Sequence, residues 1–372
     1  MKQPIFLPLL VLLFLSACAD YEAPEMPPRT LQEAVYIDRT DEGTKLQIHT
    51  AGAYELYAMT PTGTMGSQIE MEENHIIPVN PVLRPQFYVI QEGDTFIIRE
   101  RHIPVEGSPN IREVGGLFTQ DGYQVKWGQV YRSGATAEIP EEEFPILETM
   151  ALKTICDFRT PAEREDEPDN WPAIDQIKLV FNTVGDTNLM QQDWLTEIKK
   201  DDFQADQMLI EGNRTFIKDG LPAYRRFFEL LLAEENYPLL YHCSAGKDRA
   251  GFATVSLLMA LGVDSTLAVQ DYLMSNYYRF GTTEAQLKKA ANFLGVEPEK
   301  IRPLMNVKPS YIQAAFETAN AEYGSFDAYL CEGLGVCETE REKLRSMLLY
   351  NYPMEMIMSD SLSVLSSDMS KP

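Results

Sequence analysis

Histidine is scarce in this chain, four in 372 residues, and cysteine nearly as rare, with five. The histidines are scattered and no Cys-x-x-Cys pair occurs, so the spacings that hold zinc are missing and no metal site is expected. Positive charge is also thin: 32 Lys and Arg stand against 56 Asp and Glu, for a formal net charge of −24. A field of that sign argues against nucleic acid or anionic membrane surfaces as partners. It disfavours polyanionic substrates too, unless cationic groups overcome it locally. No apolar run is long enough for a secure membrane span. What is present, 44% hydrophobic and 24% charged residues, is ordinary for globular protein. The length allows two or three domains.

Met1–Ala17 carries one charged residue, Lys2, then a Leu/Phe/Val-rich run closing on Leu15-Ser16-Ala17-Cys18. This is the build of a signal peptide. The small residues before Cys18 resemble the lipobox of bacterial lipoproteins. That resemblance implies cleavage before Cys18, lipidation of its thiol, and an exported protein anchored to a membrane, facing periplasm or cell surface. Residues 18–30, with Pro24, Pro27 and Pro28, read as a tether, and the Ser- and Met-rich 353–372 as a frayed tail.

From 31 to 105 short β-type runs alternate with turns. The candidates are Ala34–Asp38, Lys45–Thr50, Tyr54–Met59, Ile76–Val79, Phe87–Gln91 and Thr95–Arg99. Such spacing predicts a small antiparallel sandwich, with Tyr54, Tyr57, Phe87 and Tyr88 as core. It reads as a spacer or interaction module without catalytic residues. From 106 to 352 strands alternate with helices: Leu152–Phe158, Ile177–Asn182 and Pro238–Tyr241 as strands, Pro161–Glu167 and most of Trp194–Glu235 as helix. Breaks are expected at Gly212-Asn213 and Gly220-Leu221-Pro222. Leu257–Leu273, Thr283–Phe293, Ser310–Ala321 and Glu338–Leu349 complete the helices. The class is α/β with a parallel sheet, whose ligands bind beyond the strand carboxyl ends. Those ends are Asp157-Phe158-Arg159, Asp186 and the stretch His242-Cys243-Ser244-Ala245-Gly246-Lys247-Asp248-Arg249. The segment 186–220 reads as a lid over them or as a surface helix pair.

That last stretch carries the chemistry. A buried strand runs into a glycine-containing loop and then into the apolar helix Phe252–Leu261. Loop amides and the helix N-terminus converge on one point, which suits a phosphate. Arg249 offers a planar fork, Lys247 a point charge, and Ser244, Ala245 and Gly246 their amides. Cys243, at the start of the loop, is placed as a nucleophilic thiolate. The block resembles the signature loop of cysteine-dependent protein-tyrosine phosphatases, in the Gly-Lys-Asp-Arg version of the bacterial tyrosine/dual-specificity members, some of which also act on phosphoinositides.

Asn110–Gly116 and Trp127–Ser133 resemble further segments of that family, which implies that Arg112 and Arg132 lie near the pocket and hold or frame substrate. Tyr323-Gly324-Ser325, Tyr329-Leu330 and Leu344-Arg345 extend the resemblance, which covers roughly 110–350. Two departures stand out: Glu113-Val114 where the family usually has Asp-Leu, and Ala250 where it usually has Ser or Thr. The expected activity is phosphomonoester hydrolysis through a phosphocysteine, without cofactor or metal. Its substrate is a phosphorylated protein or peptide, or alternatively a phosphoinositide or inositol phosphate. His242 would position the loop. Asp248, or else Asp186, would serve as general acid, with Asp157 structural. A weakly active phospho-binding protein and a rhodanese-like sulfurtransferase are the rival readings. Cys331 and Cys337 are expected to pair in an oxidising compartment. Cys156, beside the catalytic strand, is either a plain buried thiol or an oxidative partner for Cys243.

Overall fold

The computed structural model describes residues 35–39, 45–50, 52–70, 76–185 and 194–351. Cys18 with the expected leader and tether, Asp186, and the expected 353–372 tail lie outside them. Seven short strands come first: β1 (Val35–Arg39), β2 (Lys45–Thr50), β3 (Glu55–Met59), β4 (Met65–Gln68), β5 (Ile76–Pro78), β6 (Phe87–Gln91) and β7 (Asp94–Ile98). They form two antiparallel sheets, β1-β2-β5 and β4-β3-β6-β7. Ile37, Leu46 and Ile48 of one sheet meet Leu56, Phe87, Val89 and Ile98 of the other in a shared core. β4 escaped the sequence reading because Met65-Gly66-Ser67-Gln68 has no β-branched residue; pairing with β3 makes it a strand. The expected aromatic core is only partly there. Phe87 is buried and Tyr54 packs beside it, but Tyr57 and Tyr88 are cross-strand partners on the opposite, half-exposed face. Side chains alternate along a strand, so neighbours Leu56 and Phe87 point inward and the two tyrosines outward.

Five more strands form a third sheet: β8 (Arg112–Glu113), β9 (Val130–Ser133), β10 (Thr154–Asp157), β11 (Lys178–Phe181) and β12 (Leu239–His242). Their order is β11-β10-β12-β9-β8; all neighbours are parallel except β8 with β9. The α/β class with a preceding antiparallel region is therefore as read. In the central strand β12, Leu239 and Tyr241 enter one apolar core and Leu240 another, so both sheet faces are covered. The helices are α1 (Phe144–Glu148), α2 (Pro161–Asp166), α3 (Trp194–Lys199), α4 (Ala205–Lys218), α5 (Leu221–Leu231), α6 (Arg249–Ala260), α7 (Ser265–Leu294), α8 (Pro298–Met305), α9 (Pro309–Tyr323), α10 (Phe326–Ala328) and α11 (Glu338–Leu348). α4 runs unbroken through Gly212-Asn213 and packs on α9, where Asp206 meets Lys308 and Tyr311.

The largest surprise is α7, one helix of 30 residues where two were expected. Its buried stripe passes from Leu267 and Ala268 through Asp271, Ser275, Arg279 and Thr283 to Leu287 and Ala291. The middle of the stripe is polar, so the hydrophobic period lapses in sequence while the spacing of three and four persists. Cys331 and Cys337 form the expected disulfide. Among the described residues no helix is long and apolar enough to cross a membrane.

Glu113 joins the two β-rich parts. Its buried carboxylate accepts from Arg84 Nη2 at 2.8 Å, from the Gly128 amide at 2.6 Å, and lies 3.1 Å from Arg99 Nη1. A second joint is Gln124, which exchanges hydrogen bonds with both backbone groups of Ile97.

Candidate active site

β12 ends at His242, residues 243–248 form a loop, and α6 begins at Arg249 with Asp248 as its N-cap residue. Cys243 therefore sits at the carboxyl edge of the central strand, 2% exposed. Gly246 has φ +67°, and a Cβ there would stand 2.5 Å from the backbone of Ser133 and Gly134. Only glycine satisfies both conditions. The loop's carbonyls are taken up by the scaffold. Ala135 N donates to Ser244 O at 2.8 Å, while Arg132 Nη2 and Asn110 Nδ2 donate to Gly246 O at 2.7 and 3.0 Å. The amides of Ser244–Asp248 have no acceptor among the described residues. A loop with its carbonyls tied outward and its N–H groups unpaired beside a helix N-terminus is an oxyanion cradle.

Beneath the cradle lies a knot of buried charge. The Asp271 carboxylate of α7 takes Arg101 Nη2 at 3.0 Å, Arg112 Nε at 3.3 Å and Arg132 Nη1 at 3.1 Å. Burial alone would raise its pKa; the three guanidiniums instead hold it well below the usual carboxylate range. Arg112 also donates to Asn110 Oδ1, so both arginines reach the loop through one intermediary or none. Arg112 and Arg132 are completely buried. This corrects the expectation that they contact substrate: they fix the loop from behind. Burial and the neighbouring Arg132 lower the Arg112 guanidinium to about 10.

Arg249 is gripped by a residue the sequence reading missed. Glu163 of α2 accepts from Nη2 at 2.6 Å and from Nη1 at 2.9 Å. Glu163 also accepts from the Thr160 amide in a capping box. Burial pushes its carboxyl up, but Arg249, Ser244 and the Thr160 amide more than reverse this, bringing it to about 2. The Thr160-Pro161-Ala162-Glu163 pattern signals a helix start, and nothing in it signals a reach to residue 249. Ser244 Oγ donates to Glu163 at 2.5 Å and lies 3.1 Å from Arg249 Nη2, so its hydroxyl belongs to this pair. With Nη1 on Glu163 and Phe158 O and Nη2 on Glu163 and Ser244, Nε–H is the donor of Arg249 left without an acceptor among the described residues, and one Nη2–H follows when Ser244 is displaced.

The remaining expected residues fall as follows. Lys247 Nζ lies 2.6 Å from Asp248 Oδ2 and 3.2 Å from Asn306 O, so it is held beside the cradle rather than free over it. Asp248 Oδ1 is buried and without a hydrogen-bond partner among the described residues. His242 Nε2 stands 3.3 Å from Asp169 and 3.7 Å from Asp157. Asp157 accepts from the Arg159 amide and side chain, which is the structural role foreseen for it. Asp169 was not foreseen; His242, Arg159 and Thr136 overcome its burial and lower it to about 2. Asp157, Asp169 and His242 are close enough to share a metal ion, but Arg159 Nη2 already lies within 3.0 Å of both carboxylates. A guanidinium in that position makes the cluster an ion-pair network. Cys156 is fully buried, its thiol pushed up to about 12 by desolvation, which favours the plain buried reading over an oxidative partner.

The chain is 32% identical over 281 residues to the triple specificity protein phosphatase PtpB of Mycobacterium tuberculosis, covering 67% of this chain and 99% of that protein. It is 24% identical over 222 residues to a tyrosine-protein phosphatase of Nostoc commune, covering 58% and 73%. Among solved structures, the core catalytic domain of the PP-IP phosphatase SIW14 from S. cerevisiae matches 52% of this chain and 96% of its own, at 18% identity. Its TM-score of 0.28 is too low to bear on the fold. A model of the tyrosine phosphatase family matches residues 103–350, and this chain is a member of that family.

Proposed function

We propose that the chain hydrolyses phosphomonoesters through a phosphocysteine at Cys243. The observation that carries the reading is the cradle: unpaired amides of Ser244–Asp248 around a cysteine, with Arg249 clamped at its far end. Cys243 Sγ attacks phosphorus in line with the ester oxygen; the S–P bond forms as the P–O bond breaks. The amides and Arg249 carry the charge on the equatorial oxygens. Asp248 hands its proton to the departing oxygen, its unpartnered Oδ1 being the atom free to carry one. Water then attacks the phosphocysteine, returning a proton to Asp248 and releasing phosphate and the Cys243 thiolate. Asp186 is the alternative acid.

Phosphorylated protein or peptide is the substrate class this supports best, because the overall charge of −24 opposes highly charged inositol phosphates. A second reading, phosphoinositide or inositol phosphate hydrolysis on the same scaffold, draws on the resemblance of the Gly246-Lys247-Asp248-Arg249 loop to family members that also act on phosphoinositides. The lipobox-like Leu15-Ser16-Ala17-Cys18 supports reading the enzyme as an exported lipoprotein held to a membrane by lipidation of Cys18. Turnover of para-nitrophenyl phosphate with chelator present tests the chemistry. Cys243→Ser should lose it by more than a thousandfold while still binding inorganic phosphate. Residual turnover within tenfold of wild type would sink the reading. Asp248→Asn should slow alkyl phosphates far more than nitrophenyl phosphate; if Asp186→Asn alone shows that pattern, the acid is Asp186.

A further inference from the structure

Seven arginines are buried among the described residues: Arg84, Arg101, Arg112, Arg132, Arg159, Arg279 and Arg345. Six have a carboxylate within ion-pair distance, namely Glu113, Asp271 for three of them, Asp157 with Asp169, and Asp121. Arg279 has none among the described residues. It sits in the polar middle of α7, 6% exposed, and its one hydrogen bond runs from Nη1 to Met305 O at 2.9 Å. Leaving a guanidinium buried without an anion is costly, and proteins rarely keep one without use. Its surroundings supply the use. Arg279 lines a cleft of about 490 Å³ whose wall includes Ser244 and Ala245 of the cradle. The buried hydroxyl of Ser108 lines the same cleft, and it too has no hydrogen-bond partner among the described residues. Sharing that wall with Ser244 and Ala245, Arg279 stands beside the cradle without belonging to it.

We infer that Arg279 and Ser108 form a second anion subsite beside the cradle, which takes a carboxylate or phosphate of the substrate other than the transferred phosphoryl group. This deepens the phosphatase reading and rests on it. Glu106, Glu138 and Glu167 are exposed at the rim of the cleft and limit the ligand to one compact oxyanion. A polyphosphate would meet repulsion there.

Two matched pairs of substrates test the subsite. N-acetyl-phosphotyrosine and its amide differ only in a carboxylate; a vicinal inositol bisphosphate and inositol monophosphate differ only in a phosphate. Wild type should favour the additional anion in at least one pair by about tenfold or more in kcat/KM, mainly through KM, the yield of one charge-assisted contact. The pair that responds identifies carboxylate or phosphate as the group. In Arg279→Met that preference should collapse toward unity, with Arg279→Lys intermediate and Ser108→Ala weaker in the same direction. Melting temperatures show whether the variants fold, and binding of both pairs to Cys243→Ser repeats the comparison without turnover. A wild-type preference near unity in both pairs, or one that survives Arg279→Met, would overturn the inference. Absence of any turnover alongside an intact binding preference would instead overturn the catalytic reading and leave the subsite standing.

Discussion

Glu163 offers the sharpest test of how the cradle is built, because it touches Arg249 and no reacting atom. Glu163→Gln keeps the shape, removes the charge and turns one acceptor toward Arg249 into an amide donor. The carboxyl's fall from 4.5 to about 2 corresponds to about 3 kcal/mol favouring the ionised form. The pair is 14–19% exposed at the mouth of the site, so solvent screening reduces the usable part to about 1–2 kcal/mol. If that energy aims Arg249 at the transition state, kcat/KM falls about five- to thirtyfold. The pH dependence follows from the sign. A depressed carboxyl contributes fully above its ordinary value of 4.5, and the contribution is lost as pH falls toward 2. The gap between wild type and variant should therefore be flat from pH 5 to 7.5. Steady-state hydrolysis of para-nitrophenyl phosphate over that range, with the inhibition constant of inorganic phosphate, reads it directly. Glu163→Asp keeps the charge but shortens the reach and should lie between the two. Rates within twofold of wild type for Glu163→Gln, or a gap that closes between pH 7 and 5, would refute the reasoning.

Three further outcomes are expected. Asp271→Asn leaves Arg101, Arg112 and Arg132 buried around a neutral amide, and should cost about 3–5 kcal/mol of stability by denaturant unfolding together with a loosened loop. Ala250 has no hydroxyl, and Ser244 Oγ is committed to Glu163, so no side chain among the described residues donates to Cys243 as it leaves phosphorus. Hydrolysis of the phosphocysteine should then limit turnover: rapid quench should show a burst of alcohol, and Ala250→Thr should raise the steady rate about ten- to a hundredfold and shrink the burst. Mass spectrometry of the membrane fraction should find a mature chain beginning at lipid-bearing Cys18; an intact Met1 there would end the lipoprotein proposal.

The sequence by itself determined what is local. Strand, glycine-bearing loop and helix around Cys243 follow from adjacent residues, and so does the place of Arg249 at the end of the same loop, because six positions of chain bring both into one turn. The short strands of the first region other than β4 were equally legible, since period and turn residues are local signals. Tertiary structure alone decided which charges face each other. Glu163 lies 86 residues from Arg249, and Asp271 lies 139 from Arg132; no spacing rule links them. It also moved Arg112 and Arg132 from the substrate side of the loop to its back, and it made α7 continuous across residues whose polarity disguises a buried stripe. The physical reason is common to all of these. Burying a charge is favourable only beside its partner, and that partner is chosen by the packing of distant elements rather than by neighbours in the chain.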